Sequence, residues 1–164
     1  RGLIPTPKPK KKVVKWILPD NEIYKLQLLL GGVDFVDAIM IIRKRLGIGY
    51  HNYIRYKNRR KGTVQRIYIT VKAYSLIKSL YNYVSNKSLQ TLRRKQNNLL
   101  KPYGLTSKSP RYQIAQKLQS INCPKEIISE ILGHSKNDVT ERYLNDFDTK
   151  VWINKINDLV VCPL

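Results

Sequence analysis

Acidic side chains are scarce in this sequence. Its 164 residues contain 11 Asp and Glu against 31 Lys and Arg, a formal net charge of +20 at neutral pH. A chain with so little negative charge repels cationic partners and attracts polyanions, of which nucleic acid is the commonest. Charge alone does not distinguish DNA from RNA, or an enzyme from a ribosomal-type RNA binder.

Cysteine and histidine are also rare, with two of each. Cys123 and Cys162 have no paired spacing and no His or Cys cluster around them, which argues against a disulfide framework and against a zinc site. The sequence also contains no apolar run long enough to span a membrane. We therefore expect two reduced thiols in a cytoplasmic protein.

Proline and lysine dominate segment 1–15, which predicts an extended basic linker. The remainder, 16–164, is predicted to be one mainly helical domain. Its expected helices cover about 18–30, 35–46, 71–85, 87–100, 110–120, 124–132, 137–144 and 149–161. Segments 50–56 and 64–70 are rich in aromatic and β-branched residues and flank a basic turn, which predicts a β-hairpin. The expected class is α+β, mainly helical with a small antiparallel sheet.

Residues 110–145 carry the most informative spacing. Arg111 stands early in one predicted helix, the tripeptide 132–134 (Leu-Gly-His) ends the next, and Tyr143 follows His134 by nine residues. His134 itself lies 23 residues after Arg111. This ordered set resembles the catalytic signature of the tyrosine recombinases, or phage integrases, and the two spacings together are far more specific than the tripeptide alone. The resemblance extends from about Leu18 onward.

The resemblance also assigns two lysines to the site. The family places a catalytic Lys on the turn of a β-hairpin, and the match falls on Lys61, with Lys57 as the less favoured register. Lys108 stands three residues before Arg111, where the family usually has His and sometimes Lys or Tyr. We expect Lys108 to keep that role.

The segment GGVDFVD departs from the family pattern. Asp34 stands where the family has its first catalytic Arg, while Asp37 matches the acidic position three residues later. A carboxylate cannot donate a hydrogen bond to a phosphate. We expect a neighbouring arginine, such as Arg43 or Arg45, to supply the missing guanidinium.

The resemblance implies a role for each residue. Tyr143 would attack a DNA phosphate and form a covalent 3′-phosphotyrosine, and Arg111 would hold two phosphate oxygens with its planar fork. Lys61 would protonate the leaving 5′-oxygen, and His134 would bond the phosphate or help to move the tyrosine proton. Because the phosphotyrosine conserves the energy of the broken bond, we expect no cofactor and no metal.

The implied fold is the tyrosine-recombinase catalytic core, and the implied function is site-specific recombination of double-stranded DNA in a bacterial or mobile-element host cell. Family members work as tetramers, which predicts a tetramer on DNA through the C-terminal helix 149–161 and allows a monomer when free. The apolar face of that helix suits packing in cis equally well. Because the chain begins at Arg1, we expect DNA-binding domains upstream.

Three alternatives remain open at this point. A type IB topoisomerase-like protein would use the same chemistry to nick and reseal DNA. A catalytically decayed module would bind DNA without cutting it, in keeping with Asp34. A ribosomal-type RNA binder is favoured by charge alone.

Overall fold

A computed structural model describes residues 15–62, 64–133 and 139–160, and for residues 58 and 139–148 it describes the backbone only. Two antiparallel strands lie among helices, so the α+β class with a small sheet is confirmed. The described α-helices are α1 (Glu22–Leu29), α2 (Phe35–Arg43), α3 (Val71–Ser85), α4 (Leu89–Leu100), α5 (Ser109–Ser120), α6 (Lys125–Leu132) and α7 (Val139–Leu159). The strands are β1 (Gly49–Ile54) and β2 (Val64–Ile69), and short 3-10 turns cover Tyr56–Asn58 and Lys101–Tyr103.

The hairpin pairs β1 with β2 from Gly49 opposite Ile69 to Ile54 opposite Val64. Along β2, every second side chain is buried, which is the alternation expected of a sheet with one face on the core. The connection between the strands contains a 3-10 turn and Gly62, whose positive φ of 66° suits glycine. The predicted hairpin is therefore confirmed, with a longer tip than a two-residue turn.

Helix α1 lies at the centre of the core. It contacts α2, α3, α5 and α7, and seven of its eight residues are buried, all but Glu22. A helix buried on every side needs apolar residues around its circumference rather than along one stripe. This explains why its sequence, EIYKLQLL, shows little amphipathic periodicity.

Two glycines after α1 allow other helices to come close. Gly31 and Gly32 have φ of 87° and 82°, values that favour glycine. A Cβ on Gly31 would lie 2.8 Å from Cγ2 of Ile131, and a Cβ on Gly32 would lie 3.1 Å from Cα of Arg111. The pair therefore ends α1 and lets the first turn of α5 approach the chain that leads into α2.

The predictions for the C-terminal region need one correction. Two helices were expected, over 137–144 and 149–161, but the backbone forms the single helix α7, Val139–Leu159. The intervening residues 145–148 (Asn-Asp-Phe-Asp) contain neither Gly nor Pro. Asn and Asp lower helix propensity by less than about 1 kcal/mol each, which is too little to break a helix that packs on a core.

The second half of α7 packs in cis. Ile153, Ile156 and Val160 are buried in the core of their own chain. Of the two predicted possibilities, packing in cis or packing against a neighbouring subunit, these three side chains follow the first. A tetramer contact through them would require their release from the core.

Asn157 anchors α7 to α1 and α3. Its Nδ2 donates to the carbonyl oxygens of Leu29 (3.0 Å) and Ile153 (2.8 Å). Its Oδ1 accepts a hydrogen bond from the Thr70 hydroxyl. The Leu29 carbonyl is one of the last in α1, where no intrahelical donor follows, so the Asn157 amide satisfies an otherwise orphaned acceptor.

Replacing Asn157 with alanine is expected to lower the free energy of unfolding by about 2–3 kcal/mol, because a buried carbonyl and a buried hydroxyl lose their partner. Urea denaturation followed by circular dichroism measures the change. Asn154→Ala is the matched control, since it makes the same substitution at an exposed position of α7. Equal stability of the two variants would contradict the anchoring role.

Two further findings bear on the composition. In the described part of the chain, no helix combines the length and the apolar character needed to cross a membrane. Cys123 is a free, buried thiol, and burial raises its pKa to about 11. Cys162 lies outside the described residues.

Candidate functional site

A cavity of about 620 Å³ opens between the start of α2, the start of α5, the end of α6 and the segment that follows β1. Five cationic side chains and one carboxylate line it, together with apolar groups. The charged residues are Arg55, Lys57, Arg93, Lys108, Arg111 and Asp34. Such an excess of positive charge in a concave site attracts anions and holds them away from bulk water.

Arg111 lies in the first turn of α5 and reaches the end of α6. Its guanidinium donates to the carbonyl oxygen of Leu132 at 2.5 Å. Burial and the nearby positive charge of Arg55 lower the pKa of Arg111 from its ordinary value, which is so high that the group stays charged. The contact joins Arg111 to the turn that leads into His134, so two parts of the sequence motif meet in space.

Lys108 immediately precedes α5 and lines the same cavity. The helix begins at Ser109, one residue before the predicted start at Pro110. Lys108 is exposed, so its ammonium group keeps its hydration and can move toward a bound anion. The structure therefore brings together two of the five predicted site residues, Arg111 and Lys108.

Lys61 and Lys57 lie at different places on the connection between the strands. Lys61 is exposed in the turn before Gly62, and it is not among the described residues that line the cavity. Lys57, the less favoured register, belongs to the 3-10 turn and lines the cavity. A flexible Lys side chain at either position can reach an anion only if its backbone lies close enough, which favours Lys57 in this conformation.

The side chains of His134 and Tyr143 are not among those that the structure describes. His134 lies in the segment 134–138, outside the described residues, and Tyr143 lies on the backbone of α7 with its side chain undescribed. Convergence of these two side chains on the cavity stays a prediction. Leu132, two residues before His134, lines the cavity, and Gly133 is the last described residue before the gap at 134–138.

A glutamine that the sequence reasoning missed holds this end of α6. Gln65 donates from Nε2 to the carbonyl oxygen of Ile131 (3.1 Å), and its Oε1 accepts from the Tyr53 hydroxyl (3.1 Å). A Cβ on Gly133 would overlap the Gln65 amide, and Gly133 has a φ of 73°. Gln65 occupies a buried position of β2, and a polar residue on a buried strand face is the signal that could have identified it.

A second missed residue is Arg55, directly after β1. Its guanidinium lies 2.8 Å from a carboxylate oxygen of Asp34, and its side chain is only 8% exposed. Within the described residues Asp34 is its one hydrogen-bond partner. The signal in the sequence was the alternation of inward and outward side chains along β1. Arg55 continues the inward set, where a charged residue needs a partner.

The structure corrects the choice of arginine beside Asp34. Arg43 donates to the carbonyl oxygen of Lys87 (2.8 Å), and the Arg45 guanidinium lies over the ring of Tyr81. Neither belongs to the described lining of the cavity. Arg43 is the last residue of α2 and Arg45 follows the helix, whereas Asp34 precedes its start, so the length of the helix separates both arginines from the site.

Comparisons with known proteins provide no relative. No family model matches this chain, and neither a curated protein nor a solved structure does. The motif and the cavity are the two features of this chain that bear on its function.

Proposed function

We propose that this chain is the catalytic domain of a tyrosine-type site-specific DNA recombinase, an integrase that cuts and rejoins DNA strands. One observation carries the proposal: Arg111, His134 and Tyr143 occur in the order and at the spacings of that family. The cationic cavity around Arg111 supports it, because a phosphodiester needs such surroundings. The recombinase core is the finer fold assignment that we propose within the α+β class.

The proposed reaction has two balanced steps. The phenol of Tyr143 gives up its proton, for which His134 is the proposed acceptor, and its oxygen attacks phosphorus. The bond to the 5′-oxygen breaks, and the 5′-oxygen leaves with a proton from a general acid. The product is a 3′-phosphotyrosine and a free 5′-hydroxyl. In the second step a 5′-hydroxyl of another strand attacks the same phosphorus and releases Tyr143, which regains its proton.

The described residues support particular contributions to these steps. The Arg111 guanidinium can hold two non-bridging oxygens and stabilise the charge that develops on them. Lys108 adds a second cation on the same wall of the cavity. Lys57 and Lys61 are both candidates for the general acid, Lys57 because of its place at the cavity and Lys61 because of its match to the hairpin motif.

The proposed partner is double-stranded DNA, bound in the cytoplasm of a bacterial or mobile-element host cell. Each phosphate that a Lys or Arg contacts releases counterions, so affinity should fall steeply as salt rises. The tetramer on DNA is also a proposal. While Ile153, Ile156 and Val160 remain in their own core, it would require other surfaces.

Covalent capture tests the proposed function. The full chain is incubated with a pool of nicked duplexes of randomised sequence. After cleavage the short 5′-hydroxyl fragment diffuses away, and its loss prevents resealing. We expect an adduct that survives denaturing detergent, contains the part of the cleaved strand that lies 5′ of the broken bond, joined through its 3′-phosphate, and maps by mass spectrometry to the peptide that holds Tyr143. Sequencing the captured DNA then supplies the site for later assays.

The same assay separates the alternatives. An adduct accompanied by relaxation of supercoiled plasmid, without exchange between two captured sites, would favour the type IB topoisomerase-like activity. DNA binding without any adduct would overturn the proposal and favour the decayed binding module. Stronger binding to structured RNA than to duplex DNA, again without an adduct, would favour the RNA binder.

A further inference from the structure

Two of the three arginines that line the cavity, Arg55 and Arg111, come from different elements. Arg111 comes from the start of α5, and Arg55 comes from the segment after β1. Both use only part of their donor capacity within the described residues, since one bond goes from Arg111 to Leu132 and one from Arg55 to Asp34. A guanidinium has five N–H donors, so each retains donors that can face the cavity.

Two carboxylates at the start of α2 hold the segment that carries Arg55. Asp34 precedes α2, yet its side chain makes no capping hydrogen bond and pairs with Arg55 instead. Asp37 accepts a hydrogen bond from the backbone N–H of Tyr56 at 2.9 Å. Residues 55 and 56 are thus held from one side, which restricts the rotamers open to the Arg55 side chain.

The charges in the cavity do not balance. Asp34 is the only carboxylate in its described lining, whereas Arg55 and Arg111 are accompanied there by three further cations. Buried or half-buried cations in each other's field raise the free energy of the empty site, and a bound anion removes that cost. Even when the nearby Asp37 is counted with Asp34, two carboxylates face five cations, so structural ion pairs alone leave a surplus of positive charge in the cavity.

We propose that Arg55 is the second phosphate-binding arginine of the site, held in place by Asp34 and acting with Arg111 on the same phosphate. This assignment rests on the proposed function for the identity of the anion, a DNA phosphodiester. Asp34 acts as a positioning residue, because its carboxylate orients Arg55 and does not itself contact the phosphate. The residue that stands in the place of the expected arginine thus recruits an arginine from another element.

Binding of inorganic phosphate tests this assignment without any strand cleavage. Titration calorimetry with phosphate is expected to detect binding to the wild-type chain that Arg55→Ala and Arg111→Ala each weaken by at least about tenfold, because each removes a charge-assisted contact. Arg94→Ala is the control, since it removes one exposed positive charge outside the described cavity lining. Arg55→Ala binding phosphate as tightly as the wild type, or a wild-type chain that binds none, would overturn the assignment.

A second variant guards against a folding defect. Asp34→Asn/Arg55→Gln removes both charges together, so neither residue is left as a buried charge without its partner. Its stability is checked by thermal denaturation, and its loss of phosphate binding is expected to match that of Arg55→Ala. Wild-type phosphate affinity in the folded double variant would contradict the proposal.

Cleavage of the captured DNA site gives a readout that a structural role would not change. Arg55→Ala is expected to slow single-turnover cleavage by about 10²–10³-fold on a phosphodiester, as the loss of a preorganised donor does. On a methylphosphonate, which lacks one anionic oxygen, the loss should fall to less than about tenfold because that oxygen no longer needs a partner. Equal losses on both linkages would overturn the proposal.

Asp34→Arg supplies the opposite test. It restores the residue type of the family pattern but places a cation against Arg55, and we expect slower cleavage. A faster variant would mean that Arg55 is not the substitute. These outcomes are separable from those of the proposed function. Phosphate binding that depends on Arg55 without any DNA adduct would contradict only the recombinase function. A DNA adduct whose formation does not depend on Arg55 would contradict only this assignment.

Discussion

Replacing Tyr143 with phenylalanine is expected to abolish the covalent DNA adduct, a loss of about 10⁴-fold or more, as when the nucleophile of other covalent enzymes is removed. The physical reason is that the phenol oxygen is the atom that forms the new bond to phosphorus. Phenylalanine keeps the ring and removes only that oxygen. The adduct is measured on the captured site by denaturing gel electrophoresis.

Tyr83→Phe is the matched control for that experiment. It removes the hydroxyl of an exposed tyrosine on α3, and it should cleave like the wild type. Both variants should bind DNA with the same salt dependence, because neither changes a charge. An adduct that persists in Tyr143→Phe would contradict the assignment and direct attention to Tyr112, an exposed tyrosine that lines the cavity.

Replacing Arg111 with alanine is expected to slow single-turnover cleavage by about 10²–10³-fold while duplex DNA still binds. The side chain contributes a charged donor to the cavity, and it also holds the Leu132 carbonyl before Gly133 and His134. Arg111→Lys should recover only part of the rate, because an ammonium group cannot bond two oxygens in a planar fork. Rates measured at saturating protein separate this effect from binding.

Arg94→Ala is the control for the Arg111 experiment. Arg94→Ala removes the same charge from an exposed site on α4, so it should reproduce any loss of general electrostatic attraction and no more. If Arg111→Ala cleaved within about tenfold of Arg94→Ala, the guanidinium would not stabilise the developing charge. The motif would then have to be reinterpreted as structural.

The two variants examine different halves of the same proposal. Tyr143 lies on α7, whose second half Asn157 anchors to the core, and Arg111 lies on α5, close to the glycines after α1. Both helices are therefore held by contacts made to α1 or to the residues directly after it. A defect in that central packing would reduce cleavage without touching a reacting atom, which is why each variant needs its stability measured beside its rate.

Local chemistry made several elements predictable. Pro124 and Gly133 bracket the predicted helix at 124–132, and the structure has α6 at Lys125–Leu132 with Gly133 in a left-handed conformation. Aromatic and β-branched alternation predicted the hairpin, which is found at Gly49–Ile54 and Val64–Ile69. In each case the signal is a preference of the backbone or of the side-chain period within a few residues.

Other features depend on partners that are distant along the chain. The division of α7 into two helices was wrong because packing on the core overrode the weak helix propensity of residues 145–148. Arg43 and Arg45 were chosen for their closeness to Asp34 in sequence, but a helix carries them away from it. Arg55 lies 21 residues from Asp34, and only the tertiary fold brings the segment after β1 to the start of α2.

The amino-acid sequence by itself determined the basic character of the protein, the α+β class, and the register of Arg111, His134 and Tyr143, because charge, periodicity and spacing are properties of the chain. The tertiary structure alone decided that Arg55 faces Asp34, that Lys57 rather than Lys61 lines the described cavity, and that Ile153, Ile156 and Val160 are buried in the core of their own chain. Each of these three findings depends on contacts between residues or elements that lie apart in the sequence. Such contacts are set by how the helices pack around α1, and no local preference encodes them.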